Sequence, residues 1–173
     1  MTKILETERL ILRIWTFADA ERLFAICRDA EVMRYIGTGK PYETIEQATE
    51  FLRWAESYQK ENGFCRWAVV LKESREIIGS CGFARPHEME EIELGYLFDR
   101  EFWNQGFATE AARACLQYGF ARLKFNETIA ITDLENAASQ KVLEKIGFVK
   151  RGIEKIGGVD NLIYLAKNSE IIR

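Results

Sequence analysis

The 173-residue chain has one histidine, two prolines and four cysteines, and each scarcity excludes something. With His87 as the only imidazole, a Ser/His/Asp or Cys/His catalytic set would hang on one residue in the turn-like segment Arg85-Pro86-His87-Glu88. No second histidine supports a metal site, no metal is expected, and His87 itself reads as a surface turn residue. Cys27, Cys65, Cys81 and Cys115 are widely spaced and form no CxxC or other metal-ligand pattern, so they are expected as reduced thiols in core positions. The chain also lacks Ser/Gly-rich stretches, low-complexity tracts and an internal period, which leaves no linker and no repeat architecture; one domain over residues 1–173 is expected. No apolar run approaches the roughly 18 residues of a membrane span. The opening MTKILETERLILRIW carries charges among its apolar residues and no small-residue cleavage site, so it does not read as a signal peptide, and a cytoplasmic protein is expected. Charge of one sign is missing too. The net charge is −3 and the 24 basic residues are scattered, so neither nucleic acid nor membrane is an expected partner.

What is present is a core-forming composition, 47% hydrophobic and 12% aromatic, with clear periodicities. Residues 9–14 read as a first strand, and Thr16-Phe17-Ala18-Asp19 as a capped helix start running to about Arg28. Asp29 opens a short helical piece, and Gly37-Thr38-Gly39-Lys40-Pro41 breaks it without the spacing of a phosphate loop. Thr44 and Gln47 start a long amphipathic helix that closes at Asn62-Gly63. Three strands follow, at 64–71, 76–83 and 92–98, with hairpin connections between them. A helix from Phe107 to near Lys124, a strand at 128–132, a helix from Asn136 to Gly147 and two last strands near 148–153 and 162–166 complete the order. The predicted fold is α+β, a mostly antiparallel mixed sheet of about seven strands flanked by about four helices, with one parallel crossover between 92–98 and 128–132.

One segment stands out chemically. In Phe98-Asp99-Arg100-Glu101-Phe102-Trp103-Asn104-Gln105-Gly106-Phe107-Ala108-Thr109 a strand passes through a tight turn into a helix whose first N–H groups have no partner inside it. Gly106 lets backbone approach a phosphate and small Ala108 keeps the entry open, so a pyrophosphate would gain several amide bonds and the helix dipole. Basic residues recur later at Lys141, Lys145, Lys150, Arg151 and Lys155, fit to attract a phosphorylated small molecule or equally to form a solvated face.

Three ordered motifs then resemble one family, the Gcn5-related N-acetyltransferases, and within it the RimJ/RimL-like branch that acetylates N-terminal amines of ribosomal proteins. They are Glu93-Leu94-Gly95-Tyr96, the turn Trp103 to Ala111, and the helix Asn136-Ala137-Ala138-Ser139 to Phe148, with Glu6-Thr7-Glu8-Arg9-Leu10 typical of the branch's opening and Asp160-Asn161-Leu162-Ile163-Tyr164 of its close. The resemblance implies acetyl-coenzyme A as cosubstrate and a primary amine as acceptor, either a protein N-terminus or a small amine. It implies that Gln105, Gly106, Phe107, Ala108 and Thr109 face the pyrophosphate, and that Tyr96, Leu97 and Phe98 offer strand backbone to the pantetheine amides. Asn136 would bond the pantetheine or acetyl region, and Lys141 and Lys145 would approach phosphates. Asn136 also suits a helix cap, the lysines solvent, and Tyr96 the core.

Amine attack on a thioester needs proton removal from the amine and a donor to the departing thiolate. The family's usual tyrosine donor would fall at Leu143; Ser139, one turn earlier, is the expected replacement, with a plain helix-start residue as its alternative. Glu93 is the candidate base, directly or through water, and alternation puts Glu91, Glu93 and Gly95 on one strand face; an ion-paired carboxylate is the competing role. The broader motif has Arg or Gln where this chain has Trp103, so the turn relies on amides. The last hairpin looks short, with Gly157-Gly158 as its turn. Glu88, Glu90, Glu91 and Glu93 would attract a cationic small amine or simply charge a hairpin. A silent acyl-coenzyme A binding module and a homodimer stay open.

Overall fold

A computed structural model describes residues 2–86 and 89–171, so His87 and Glu88 lie outside the described residues. The apolar runs condense into eight strands: β1 (Lys3–Glu6), β2 (Leu10–Arg13), β3 (Arg66–Leu71), β4 (Ile77–Ala84), β5 (Glu93–Phe98), β6 (Glu127–Asp133), β7 (Val149–Ile156) and β8 (Val159–Lys167). They form one sheet in the order β1-β2-β3-β4-β5-β6-β8-β7. Every neighbouring pair is antiparallel except β5 and β6. The expected seven strands become eight because Lys3–Glu6 adds an edge strand to β2 through a tight turn closed by Thr7 N–H on the Leu10 carbonyl. Four residues with only two half-buried side chains carry too little alternation to signal a strand.

Four longer helices match expectation, α1 (Ala20–Cys27), α3 (Ile45–Asn62), α4 (Phe107–Ala121) and α5 (Ala137–Lys145); α2 (Ala30–Met33) and α6 (Asn168–Ile171) are single turns. Reciprocal capping boxes at Thr16/Asp19 and Thr44/Gln47 begin the first 3-10 turn and α3. All four cysteines are buried and unbridged. Ala138 is exposed in the first turn of α5, beyond the end of β6.

Helix α4 packs on one face of the sheet. Phe83 of β4 abuts Gly119, and Cys81 of the same strand meets Cys115. Tyr96 is the cross-strand partner of Cys81, so Leu94, Tyr96 and Phe98 of β5 look toward α4, while Glu93, Gly95 and Leu97 look to the other face. Gln59 of α3 accepts from the Trp67 indole at 2.8 Å, and Arg22 of α1 donates to the Ile77 carbonyl at 2.8 Å.

The entry to α1 is fixed by a buried ion pair. Arg13 at the end of β2 holds Asp19 with two bonds of 2.7 and 2.8 Å, and Asp19 also accepts from the Thr16 N–H at 2.8 Å. Burial alone would raise the Asp19 carboxyl, but the bonds from Arg13 and Thr16 outweigh it and hold it below the ordinary carboxylate value. Because the folded value is depressed, this stability is present above the ordinary carboxylate pKa and is lost as pH falls through the lower, folded one. Asp19→Ala, which strands a buried guanidinium, is expected to cost about 3–5 kcal/mol in urea unfolding at neutral pH, with part of the difference from wild type vanishing in acid. A cost below about 1 kcal/mol would mean that the pair is not structural.

Candidate active site

Strands β5 and β6 share one ladder pair, Glu93 with Ile129, supported by the Ile129 N–H on the Ile92 carbonyl at 2.9 Å and the Thr128 hydroxyl on the same carbonyl at 2.7 Å. Beyond that vertex they part. β5 continues to Phe98 with β4 on its other edge, and β6 continues to Asp133 with β8 on its other edge. The fork therefore presents two rows of main-chain donors and acceptors to a gap, the arrangement an extended amide-bearing ligand completes. Tyr96, Leu97 and Phe98 lie on its β5 arm.

Both strands run toward the open end of the fork, and a helix starts beyond each. At α4, Asn104 and Gly106 adopt left-handed backbone, φ 61° and 82°, and the first intrahelical bond runs from the Glu110 N–H to the Gly106 carbonyl. The N–H groups of Phe107, Ala108 and Thr109 precede that bond and have no acceptor inside the helix. Trp103 donates its indole N–H to the Phe98 carbonyl at 2.8 Å, folding the turn back on β5. The Gln105 side chain is turned away, donating to the Glu101 carbonyl at 2.9 Å. What the turn offers an anion is thus main-chain amide.

At α5, the Asn136 side chain caps the helix, accepting from the Ser139 N–H at 3.1 Å. The Ser139 hydroxyl lies 2.9 Å from the Tyr96 hydroxyl, which joins β5 to α5 across the fork. Burial pushes the Tyr96 phenol well up, so it remains a protonated donor at neutral pH. Leu143, at the position of the family's tyrosine, is buried in the apolar core.

Glu93 sits at the vertex on the other face. Its carboxylate takes an ion pair from Arg66 of β3, whose guanidinium reaches it by lying over Gly95. A Cβ on Gly95 would come within 2.6 Å of the guanidinium carbon, so the glycine makes room for this pair. Burial raises the Glu93 carboxyl, against which Arg66 and the Ile131 N–H pull. Glu91, two residues earlier, is held by Arg151 of β7 at 2.6 Å.

The structure brings Tyr96, Asn136 and Ser139 together, sets Glu93 at the vertex, and places residues 105–109 at the open end. Lys141 and Lys145 are exposed on α5, and neither enters an ion pair among the described residues. Sequence reasoning missed Arg66, which partners Glu93 from 27 positions away, and the Arg9–Glu110 pair, which joins residues 101 apart. Only the Thr7-Glu8-Arg9 motif hinted at the latter. Among the described residues no group of three or more His, Cys, Asp or Glu side chains could hold a metal ion, and no helix is long and apolar enough to cross a membrane.

Residues 9–149 match the family model described as an acetyltransferase (GNAT) domain. The uncharacterized N-acetyltransferase YoaA of Bacillus subtilis is 39% identical over 155 residues, 88% of this chain and 86% of YoaA. A GNAT-family acetyltransferase from Bacillus anthracis superposes with a TM-score of 0.83 at 29% identity, covering 96% of this chain and 99% of its own. RimL, a ribosomal-protein alpha-N acetyltransferase solved with coenzyme A, shares the fold with a TM-score of 0.82 at 16% identity, covering 95% and 97%. The forked sheet with a helix start beyond each arm, the match across most of the chain and these relatives agree: the protein belongs to the GNAT family of acetyltransferases and is an N-acetyltransferase.

Proposed function

We propose that the protein, acting as a single N-acetyltransferase domain, transfers the acetyl group of acetyl-coenzyme A to a primary amine, with the N-terminal amine of a ribosomal or other protein as first candidate. The observation that carries this reading is the fork between β5 and β6, with the amides of Phe107, Ala108 and Thr109 free at its open end. Tyr96, Leu97 and Phe98 would pair their backbone with the pantetheine amides, and Gly106 to Thr109 would give N–H groups to the pyrophosphate. Asn136, with its side-chain oxygen committed to the helix cap, would turn its NH2 toward the pantetheine arm; Lys141 and Lys145 would supply longer-range attraction to phosphate.

In the reaction a C–N bond forms at the thioester carbonyl, the C–S bond breaks, the amine loses a proton and the thiolate gains one. Ser139, backed by the Tyr96 hydroxyl, is placed in this reading to donate to the thiolate. Glu93 accepts the amine's proton, directly or through water, while Arg66 keeps its carboxylate from standing as a bare buried charge. Pairing of Glu91 with Arg151 and of Glu93 with Arg66 weakens the case for an acidic trap for small cations and favours the protein N-terminus. RimL, named for a ribosomal-protein alpha-N activity, supports the same choice through fold.

Thiol release from acetyl-coenzyme A with a panel of N-terminal peptides and small amines tests the acceptor. Preference for peptides supports the reading, preference for a polyamine, amino acid or antibiotic replaces it, and tight cofactor binding without turnover makes the chain a silent binding module. Gly106→Glu puts a carboxylate at the anion site and a side chain in left-handed backbone. It is expected to weaken coenzyme A binding in calorimetry at least about a hundredfold, roughly 2.8 kcal/mol; unchanged affinity would remove the turn as the phosphate site. Ser139→Ala is expected to lower kcat by about tenfold to a hundredfold at nearly constant KM for acetyl-coenzyme A, whereas wild-type turnover would leave Ser139 a helix-start residue.

A further inference from the structure

Arg9 reaches the turn before α4 from about a hundred residues earlier in the chain. Its Nε donates to the Glu110 carboxylate at 2.7 Å and its Nη1 to the Gln105 carbonyl at 3.0 Å, while its guanidinium carbon stacks 4.2 Å from the centre of the Phe107 ring. Glu110 is saturated in turn: it accepts the Thr7 hydroxyl and the Arg9 backbone N–H as well. Burial by itself would raise the Glu110 carboxyl, but these bonds hold it below its ordinary value, so it stays charged and keeps the arginine locked. The remaining nitrogen, Nη2, has no partner among the described residues and stands 3.5 Å from where a Cβ on Gly106 would lie.

The turn itself has no cationic side chain from Trp103 to Thr109. Trp103 spends its only polar atom on the Phe98 carbonyl, and Gln105 is folded onto Glu101. A pyrophosphate bound there by amides alone would lack the charge partner that a planar, forked guanidinium supplies best.

We infer that Arg9 is a further cofactor-binding residue, with its Nη2 edge donating to a pyrophosphate oxygen beside Gly106 while Nε and Nη1 hold the turn in shape. The inference rests on the reading of this turn as the pyrophosphate site. Calorimetry of wild type, Arg9→Met and Arg9→Lys with coenzyme A, 3′-dephospho-coenzyme A and pantetheine tests it. Arg9→Met is expected to weaken both nucleotide-bearing ligands equally, by about tenfold to a hundredfold, and to leave pantetheine unchanged. Arg9→Lys, which keeps the charge but not the fork, should recover part of the loss, and it carries the test if Arg9→Met does not fold. Wild-type affinity in Arg9→Met, an equal loss on pantetheine, or a loss on coenzyme A that spares the dephospho form would each overturn the assignment. If wild type binds pantetheine as tightly as coenzyme A, the pyrophosphate site itself is wrong; if it prefers coenzyme A and Arg9→Met still does, only the role of Arg9 fails.

Discussion

Parallel strands that share one pair and then part leave backbone groups facing a gap, and the rest of this structure is arranged around that split. Main-chain donors and acceptors that find no partner in the protein must find one in solvent or ligand. Here β5 and β6 are each satisfied on their outer edges by β4 and β8, so the gap between them persists without unravelling the sheet. The parallel connection through α4 sets both chain directions toward the same end, which is why two helix starts flank one opening.

Paired arginines hold the edges of this opening in place. Arg66 of β3 reaches across β4 to Glu93 of β5, Arg151 bridges β7 to Glu91, and Arg9 ties the β1–β2 turn to Glu110 in the first turn of α4. Each joins elements distant in sequence, and each gives a carboxylate near the opening a fixed counter-charge. The acidic run that reads as a cation trap in the sequence is, in its Glu91 and Glu93 members, already neutralised. Tyr96 and Ser139 close the opposite side with neutral hydroxyls 2.9 Å apart, the pair that the proposed reaction would use as donor to the thiolate.

Much of this was legible in advance, for reasons that can be located. Capping boxes at Thr16 and Thr44, the glycine stop at Gly63 and the apolar period of α4 are local signals, and they appear where they were read. Gly157 and Gly158 make the last turn as expected, although β7 and β8 extend further on both sides of it. The edge strand β1 escaped because its stability comes from pairing with β2, not from its own four residues.

The sequence by itself determined the family, the order of the elements, and the positions of the glycine turn before α4, strand β5 and the capped helix carrying Ser139, because backbone conformation and capping depend on neighbours a few residues away. Only the tertiary structure decided that Ser139 meets Tyr96, that Glu93 is an ion-paired carboxylate at the vertex, that the Gln105 side chain turns away from the turn's amides, and that Arg9 stands at Gly106. Side-chain partnerships between residues tens of positions apart depend on strand register and helix placement, and no local pattern encodes them.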